Sequence, residues 1–319
     1  MSASMSDIVA QVLAGERSAV ARLISRVENE KDDYRIILDK LHTHTGKGYR
    51  IGVTGAPGSG KSTLTNQLAK IIRKHGSRIG IVAVDPTSPF TGGAVLGDRL
   101  RMNDLTLDEG VFIRSMATRG SLGGLAAKAT EVADILDAAG YDFIIYETVG
   151  VGQVELDIVE AADTTIVLIV PEGGDIIQGM KAGLMEIGDI FVLNKYDRPG
   201  SERMQKDLEY VLHLKEAASG WHPEVLPAVA NRNQGITEIW EKIAIHKKFL
   251  TENKLLAKKR ANRLKTRLEF LVRTGMEAAF WDAKRKSKLQ EYLKSQAENV
   301  SPYKVAQNLL DELLTQIKK

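Results

Sequence analysis

The 319-residue chain contains no cysteine. That excludes a disulfide framework, thiolate-ligated zinc or iron–sulfur centres and a thiol nucleophile, and it suits a reducing compartment. Its six histidines are scattered and form no metal-binding tract. No apolar run approaches the roughly 20 residues that span a bilayer. The first twenty residues, MSASMSDIVAQVLAGERSAV, lack a basic stretch followed by an apolar core, so they do not read as a secretion signal. Their acidic character does not suit an organelle transit peptide either. A cytoplasmic protein with no membrane partner is the expectation. Internal repeats and low-complexity tracts are also missing.

Hydrophobic residues make up 43% of the chain, enough at this length for one large α/β domain with helical material to spare. The formal charge of +3 conceals an asymmetry: residues 251–319 hold 16 Lys/Arg against 8 Asp/Glu, and residues 1–250 hold 28 against 33. A basic tail can bind nucleic acid or anionic lipid. Here the basic residues interleave with Leu255, Leu256, Leu264, Leu268, Leu271 and Phe280 at roughly helical spacing, without an aromatic stacking motif. The solvated face of a helical arm is therefore the expectation, and no nucleic-acid partner.

Residues 6–42 carry Ile8, Val9, Val12, Leu13, Val20, Leu23 and Ile24 at helical intervals and read as two amphipathic helices. From Tyr49 the pattern changes. Runs at 50–53, 78–84, 111–114, 143–146, 164–170, 190–193 and 225–229 are apolar on both faces, as parallel strands covered by helices must be. The segments 62–75, 125–139 and 202–215 between them are long enough for crossover helices. That alternation predicts a doubly wound, mainly parallel α/β sheet with ligands at the carboxyl ends of its strands. Past residue 235 only helical patterns follow. The expected division is a helical extension over 1–45, a nucleotide-binding domain over 46–250 and a helical arm over 251–319.

Gly55-Ala56-Pro57-Gly58-Ser59-Gly60-Lys61-Ser62 fits G-x-x-x-x-G-K-[ST] and lies between a strand and a helix, where a phosphate loop must lie. Its glycines let backbone N–H groups face phosphate, and the helix that begins near Lys61 and Thr63 adds its positive end. Lys61 is expected on the β- and γ-phosphates and the Ser62 hydroxyl on magnesium. Asn194-Lys195-Tyr196-Asp197 follows a strand with the spacing of a guanine-reading motif. The Asp197 carboxylate can accept from both N1–H and the exocyclic amine of guanine, donors that adenine lacks there. Asp85, Asp98 and Glu147 are candidate magnesium carboxylates, each with a plainer reading as a cap or turn residue. Gln153 and Asp98 are candidates for orienting the attacking water.

Together these motifs resemble the MeaB/ArgK family of SIMIBI-class P-loop GTPases. The resemblance runs over roughly 45–250 and is carried by GVTGAPGSGKSTL, VDPTSPFTGGAVLGDRLRM, FIRSMATRG, YETVGVGQVE and GDIIQGMKAGLMEIGDIFVLNKYD. It implies magnesium positions at Ser62, Asp85, Asp98 and Glu147, and switches over 85–102 and 148–155. A third switch falls on 173–181, with Asp175 and Lys181 at its polar positions and Lys181 a catalytic candidate. The guanine site would be completed by Val229, Ala230 and Asn231, with the Ala230 amide on guanine O6. GTP and GDP are then substrate and product, and no cobalamin of its own is expected. The implied partner is an adenosylcobalamin-dependent acyl-CoA mutase, chiefly methylmalonyl-CoA mutase, served by a GTPase chaperone that dimerises through its C-terminal helices.

The chain departs from the family pattern at Glu172, at Ser121 and at Val229, where Gly, His and Ser are usual. Two other readings are a metal-insertion GTPase, disfavoured by the missing cysteines, and a transport-associated ATPase or kinase, disfavoured by Asp197.

Overall fold

A computed structural model describes residues 5–31, 33–85, 103–117, 124–148, 161–171, 184–214, 220–295 and 301–317. The chain forms two compact units, Met1–Arg260 and Ala261–Lys319. The first is built on β1 (Tyr49–Gly55), β2 (Ile79–Asp85), β3 (Val111–Ala117), β4 (Phe143–Thr148), β5 (Thr164–Ile169), β6 (Ile190–Asn194) and β7 (Val225–Ala228). All are parallel, in the order β3-β2-β4-β1-β5-β6-β7. The doubly wound α/β expectation is met, and each predicted apolar run is a strand.

Every residue of β1, β4, β5 and β6 is buried, because helices cover both faces. On one face α4 (Lys61–Lys74) and α8 (Ile236–Glu252) place Leu64, Leu68, Ile72, Ile239 and Ile243 against Ile51, Val53, Ile145 and Ile166. Leu64, Leu68 and Ile72 recur every four residues, so all three face the sheet; burying each contributes about 1.5–3 kcal/mol. The other face carries α5 (Gly124–Ala138) and, beyond the short α6 (Leu184–Ile187), α7 (Ser201–His213), whose Met204, Leu208 and Leu212 meet Val167, Phe191 and Leu193.

The amino-terminal pattern resolves into three helices rather than two: α1 (Met5–Leu13), α2 (Arg17–Glu28) and α3 (Tyr34–His42). Gly15, at φ 75, turns the chain between the first pair. Ile8, Val20, Leu23, Ile24 and Ile37 share one core with α5 and with Ile144 and Tyr146 of β4. These helices therefore complete the cover of the sheet.

The amino ends of the strands are held by ionic contacts. Asp137 accepts from the N–H groups of Gly46, Lys47 and Gly48 at 2.7, 3.1 and 2.8 Å, fixing the turn into β1. Arg50 meets Asp134 at 2.6 Å, with both side chains largely buried. The start of α9 (Leu255–Phe280) is tied here too, since Arg260 reaches Asp163 at 2.9 Å and Lys259 reaches Asp189 at 3.3 Å.

His246 of α8 is 1% exposed in this region. Its Nδ1 hydrogen-bonds Thr164 Oγ1 at 2.8 Å, Thr164 in turn hydrogen-bonds the Tyr49 hydroxyl at 2.6 Å, and Trp221 packs on the ring. Burial pushes the imidazole down to about 4, against the opposing pull of Asp189. The unfolded chain takes up this proton near pH 6.5 and the folded chain near pH 4. Between those values the unfolded state binds more protons, so the contribution is whole above pH 6.5 and is lost as the pH falls. Full titration is worth on the order of 3 kcal/mol. The urea midpoint is expected to drop between pH 6.5 and 4.5 more steeply in the parent than in His246→Gln. Parallel slopes would mean that His246 titrates normally in the folded protein.

The second unit contains the rest of α9, then α10 (Ala283–Ser295) and α11 (Pro302–Ile317). Within it Phe280, Trp281, Tyr292, Leu293, Val305 and Leu309 line an apolar cavity of about 400 Å³.

Candidate functional site

The carboxyl ends of the strands bring the motif residues together. β1 lies at the centre of the sheet, with β4 on one side and β5 on the other, so the chain leaving β1 at Gly55 emerges at the topological switch point. Gly55 has φ 142, and a Cβ there would lie 2.3 Å from the Leu168 carbonyl oxygen of β5. Only glycine passes. Gly60 has φ 97, and a Cβ would lie 2.3 Å from Asn194 Nδ2. The loop is thus shaped by two close approaches as well as by conformational freedom.

Lys61 opens α4 and is 6% exposed. Its Nζ donates to the Gly55 and Ala56 carbonyls at 2.7 and 3.0 Å, which holds the ammonium over the loop. Ala56, Pro57, Gly58 and Gly60 keep partial or full exposure, as do Ser62 and Thr63 in the first turn of α4. Ser59 is wholly buried, and its own N–H donates to the Ala56 carbonyl at 3.1 Å.

The Ser62 hydroxyl donates to Glu147 Oε1. Glu147 is fully buried near the end of β4, in register with Val53 of β1, which carries its carboxylate to the foot of the loop. Thr148 follows, with Oγ1 3.3 Å from Thr54 Oγ1. A hydroxyl and a carboxylate from two elements are hard oxygens of the kind magnesium takes, so this pair fits the ion. Asp85 ends β2, one residue past the register pair Val84–Thr148, so its backbone lies at the same edge. Its side chain, and the expected positions Asp98, Ser121, Gln153, Glu172, Asp175 and Lys181, lie outside the described residues, as do nearly all of the three expected switch segments.

Asn194, 4% exposed, ends β6 beside the loop. Its Nδ2 donates to the Ser59 carbonyl at 2.7 Å, while its Oδ1 accepts from the Ala230 N–H at 3.1 Å. One side chain therefore fastens the phosphate loop to the segment expected to read guanine, a role the four-residue motif does not disclose. The Ala230 amide, expected on guanine O6, donates to Asn194 in this structure. Lys195, at φ 59, turns the chain out of β6, and the Tyr196 N–H donates to the Ala228 carbonyl at 3.0 Å. Val229 and Gln234 exchange backbone hydrogen bonds of 3.1 and 3.3 Å around the short turn that holds Ala230 and Asn231. Asp197 is 35% exposed, and Arg232 from that turn reaches its Oδ2 at 3.4 Å. No motif pointed to Arg232.

The profile of the family described as methylmalonyl-CoA mutase-associated GTPase MeaB matches residues 20–285. A Pyrococcus abyssi protein provisionally named a GTPase is 45% identical over 313 residues, covering 97% of this chain and 96% of its own. The GTPase ArgK of Escherichia coli strain K12 is 38% identical over 257 residues, 78% of each chain. A crystal structure described as a LAO/AO transport system kinase superposes with a TM-score of 0.72 at 28% identity, covering 98% of this chain and 99% of the other. The matched span contains both the phosphate loop and the Asn194–Asp197 motif, and the protein belongs to the MeaB family of methylmalonyl-CoA mutase-associated P-loop GTPases.

Proposed function

We propose that this protein binds GTP with magnesium, hydrolyses it to GDP and phosphate, and serves as a chaperone of an adenosylcobalamin-dependent acyl-CoA mutase, methylmalonyl-CoA mutase first among them. The observation that carries the chemistry is the convergence of Lys61, the Ser62–Glu147 pair and the Asn194 bridge at one edge of the sheet. The family to which the chain belongs supports the partner.

Backbone N–H groups of the loop between Gly55 and Thr63, other than Pro57, which has none, and Ser59, whose N–H is on the Ala56 carbonyl, cradle the phosphates with the Lys61 ammonium and take up charge that grows on them as the terminal bond breaks. Ser62 and Glu147, with Asp85 and Asp98, would hold the ion, which would supply further charge neutralisation to the phosphates. Asp98 or Gln153 orients the water, and Lys181 belongs to a third switch. Asp197 reads the guanine edge, while Val229, Ala230 and Asn231 close over the base. Hydrolysis of this kind needs ordered switch loops, so turnover is slow alone and faster with the partner. Nucleotide state would then gate cofactor delivery to the mutase or its protection.

The helical arm is proposed to dimerise. Leu264, Leu268, Val272 and Met276 recur every four residues on α9 and are 45–67% exposed, a stripe suited to a second copy. A cytoplasmic site of action is proposed; no described helix is long and apolar enough to cross a membrane. A kinase reading, which the description of the similar crystal structure invites, needs ATP, and Asp197 opposes it.

GTP hydrolysis by the purified protein, measured with and without methylmalonyl-CoA mutase, tests the proposal. Stimulation by the mutase is expected. GTP turnover indifferent to the mutase would retain the GTPase and discard this partner.

A further inference from the structure

The carboxylate assigned to the base is already paired. Arg232 Nη2 stands 3.4 Å from Asp197 Oδ2, with the arginine side chain 62% exposed and the aspartate 35%. Arg232 ends the short turn Ala230–Arg232, and its own N–H donates to the Val229 carbonyl at 2.9 Å. The guanidinium therefore springs from the same rigid turn that presents Ala230. Nothing else in the proposed mechanism uses it.

Guanine is recognised through N1–H and the C2 amine, which together are a planar guanidine fragment. Arginine carries that fragment at the end of its side chain, and a carboxylate accepts two parallel N–H groups from either. We infer that Arg232 is an internal stand-in for the guanine edge, so that base binding at Asp197 is an exchange of one guanidine fragment for another. The inference rests on Asp197 as the guanine reader.

Two consequences follow from the exchange. Guanine nucleotides bind more weakly than the rest of the site allows, because each must displace Arg232. Discrimination is also softened. Adenine offers no donor to Asp197, yet Arg232 can stay on the carboxylate and spare it from being left unpaired. The arginine thus lowers affinity for the right base and reduces the penalty for the wrong one, which keeps the nucleotide exchangeable.

The experiment is fluorescent GDP binding to the full chain, with ADP as competitor, for the parent, Arg232→Gln and Arg232→Lys at low and high salt. Arg232 is exposed, so neither variant threatens folding. Arg232→Gln is expected to bind GDP roughly two- to fivefold more tightly at low salt, the range of an exposed ion pair. The gap should close at high salt as the pair is screened. The GDP-over-ADP preference should widen in the same variant. Arg232→Lys, which keeps the charge and loses the fork, should fall between. Equal or weaker GDP binding by Arg232→Gln, with guanine preference intact, overturns the exchange and leaves Asp197 in place. Loss of guanine preference in the parent itself would overturn both.

Discussion

Lys61→Ala is expected to lower GTP turnover by roughly 10²–10³-fold, the cost of removing one preorganised charge from a phosphoryl-transfer site. The ammonium sits over the loop at 2.7 and 3.0 Å from two of its carbonyls, at the amino end of α4. The described loop residues Gly55–Thr63 carry no second cation to replace it. The fold should survive. The loop is shaped by the Gly55 and Gly60 approaches and by the Asn194 bridge, none of which involves the Lys61 side chain. Single-turnover hydrolysis, with circular dichroism as the folding control, reads the result. Activity within about twofold of the parent would remove Lys61 from the phosphates.

Asp197→Asn is expected to reduce the preference for GTP over ATP by a factor on the order of 10² or more, because a site built to receive two donors rejects the base that lacks them. The substitution keeps one acceptor and turns the other oxygen into a donor. Xanthine, with a carbonyl where guanine has its amine, then becomes the better partner. Gain of XTP binding together with loss of GTP binding is therefore the expected pair of outcomes. The change is nearly isosteric on a part-exposed residue, so a stability effect is not expected to obscure it. Competition of GTP, ATP and XTP for a fluorescent nucleotide measures it. An unchanged order of preference would place the guanine reader elsewhere.

The parts of the protein legible in its sequence are those whose chemistry is local. The phosphate loop needs eight contiguous residues of defined type, and a parallel strand buried on both faces needs one short apolar run. Both signals survive any tertiary arrangement. The amino-terminal helices show the limit. Their periodicity is visible in the sequence, but their packing on α5 depends on contacts with residues about a hundred positions away, such as the Lys128 bond to the Val27 carbonyl.

Read alone, the sequence specifies a doubly wound P-loop protein with a phosphate loop at 55–62 and, at 194–197, a motif with the spacing expected of a guanine reader, because spacing along one strand–loop–helix unit defines each. Tertiary structure alone decided that β4 lies between β1 and β2, and that Glu147 consequently meets Ser62. It also decided that Asn194 bridges to a loop 135 residues away and that Arg232 occupies Asp197. Such contacts arise where the carboxyl ends of separate strands converge, and their partners leave no pattern in the chain between them.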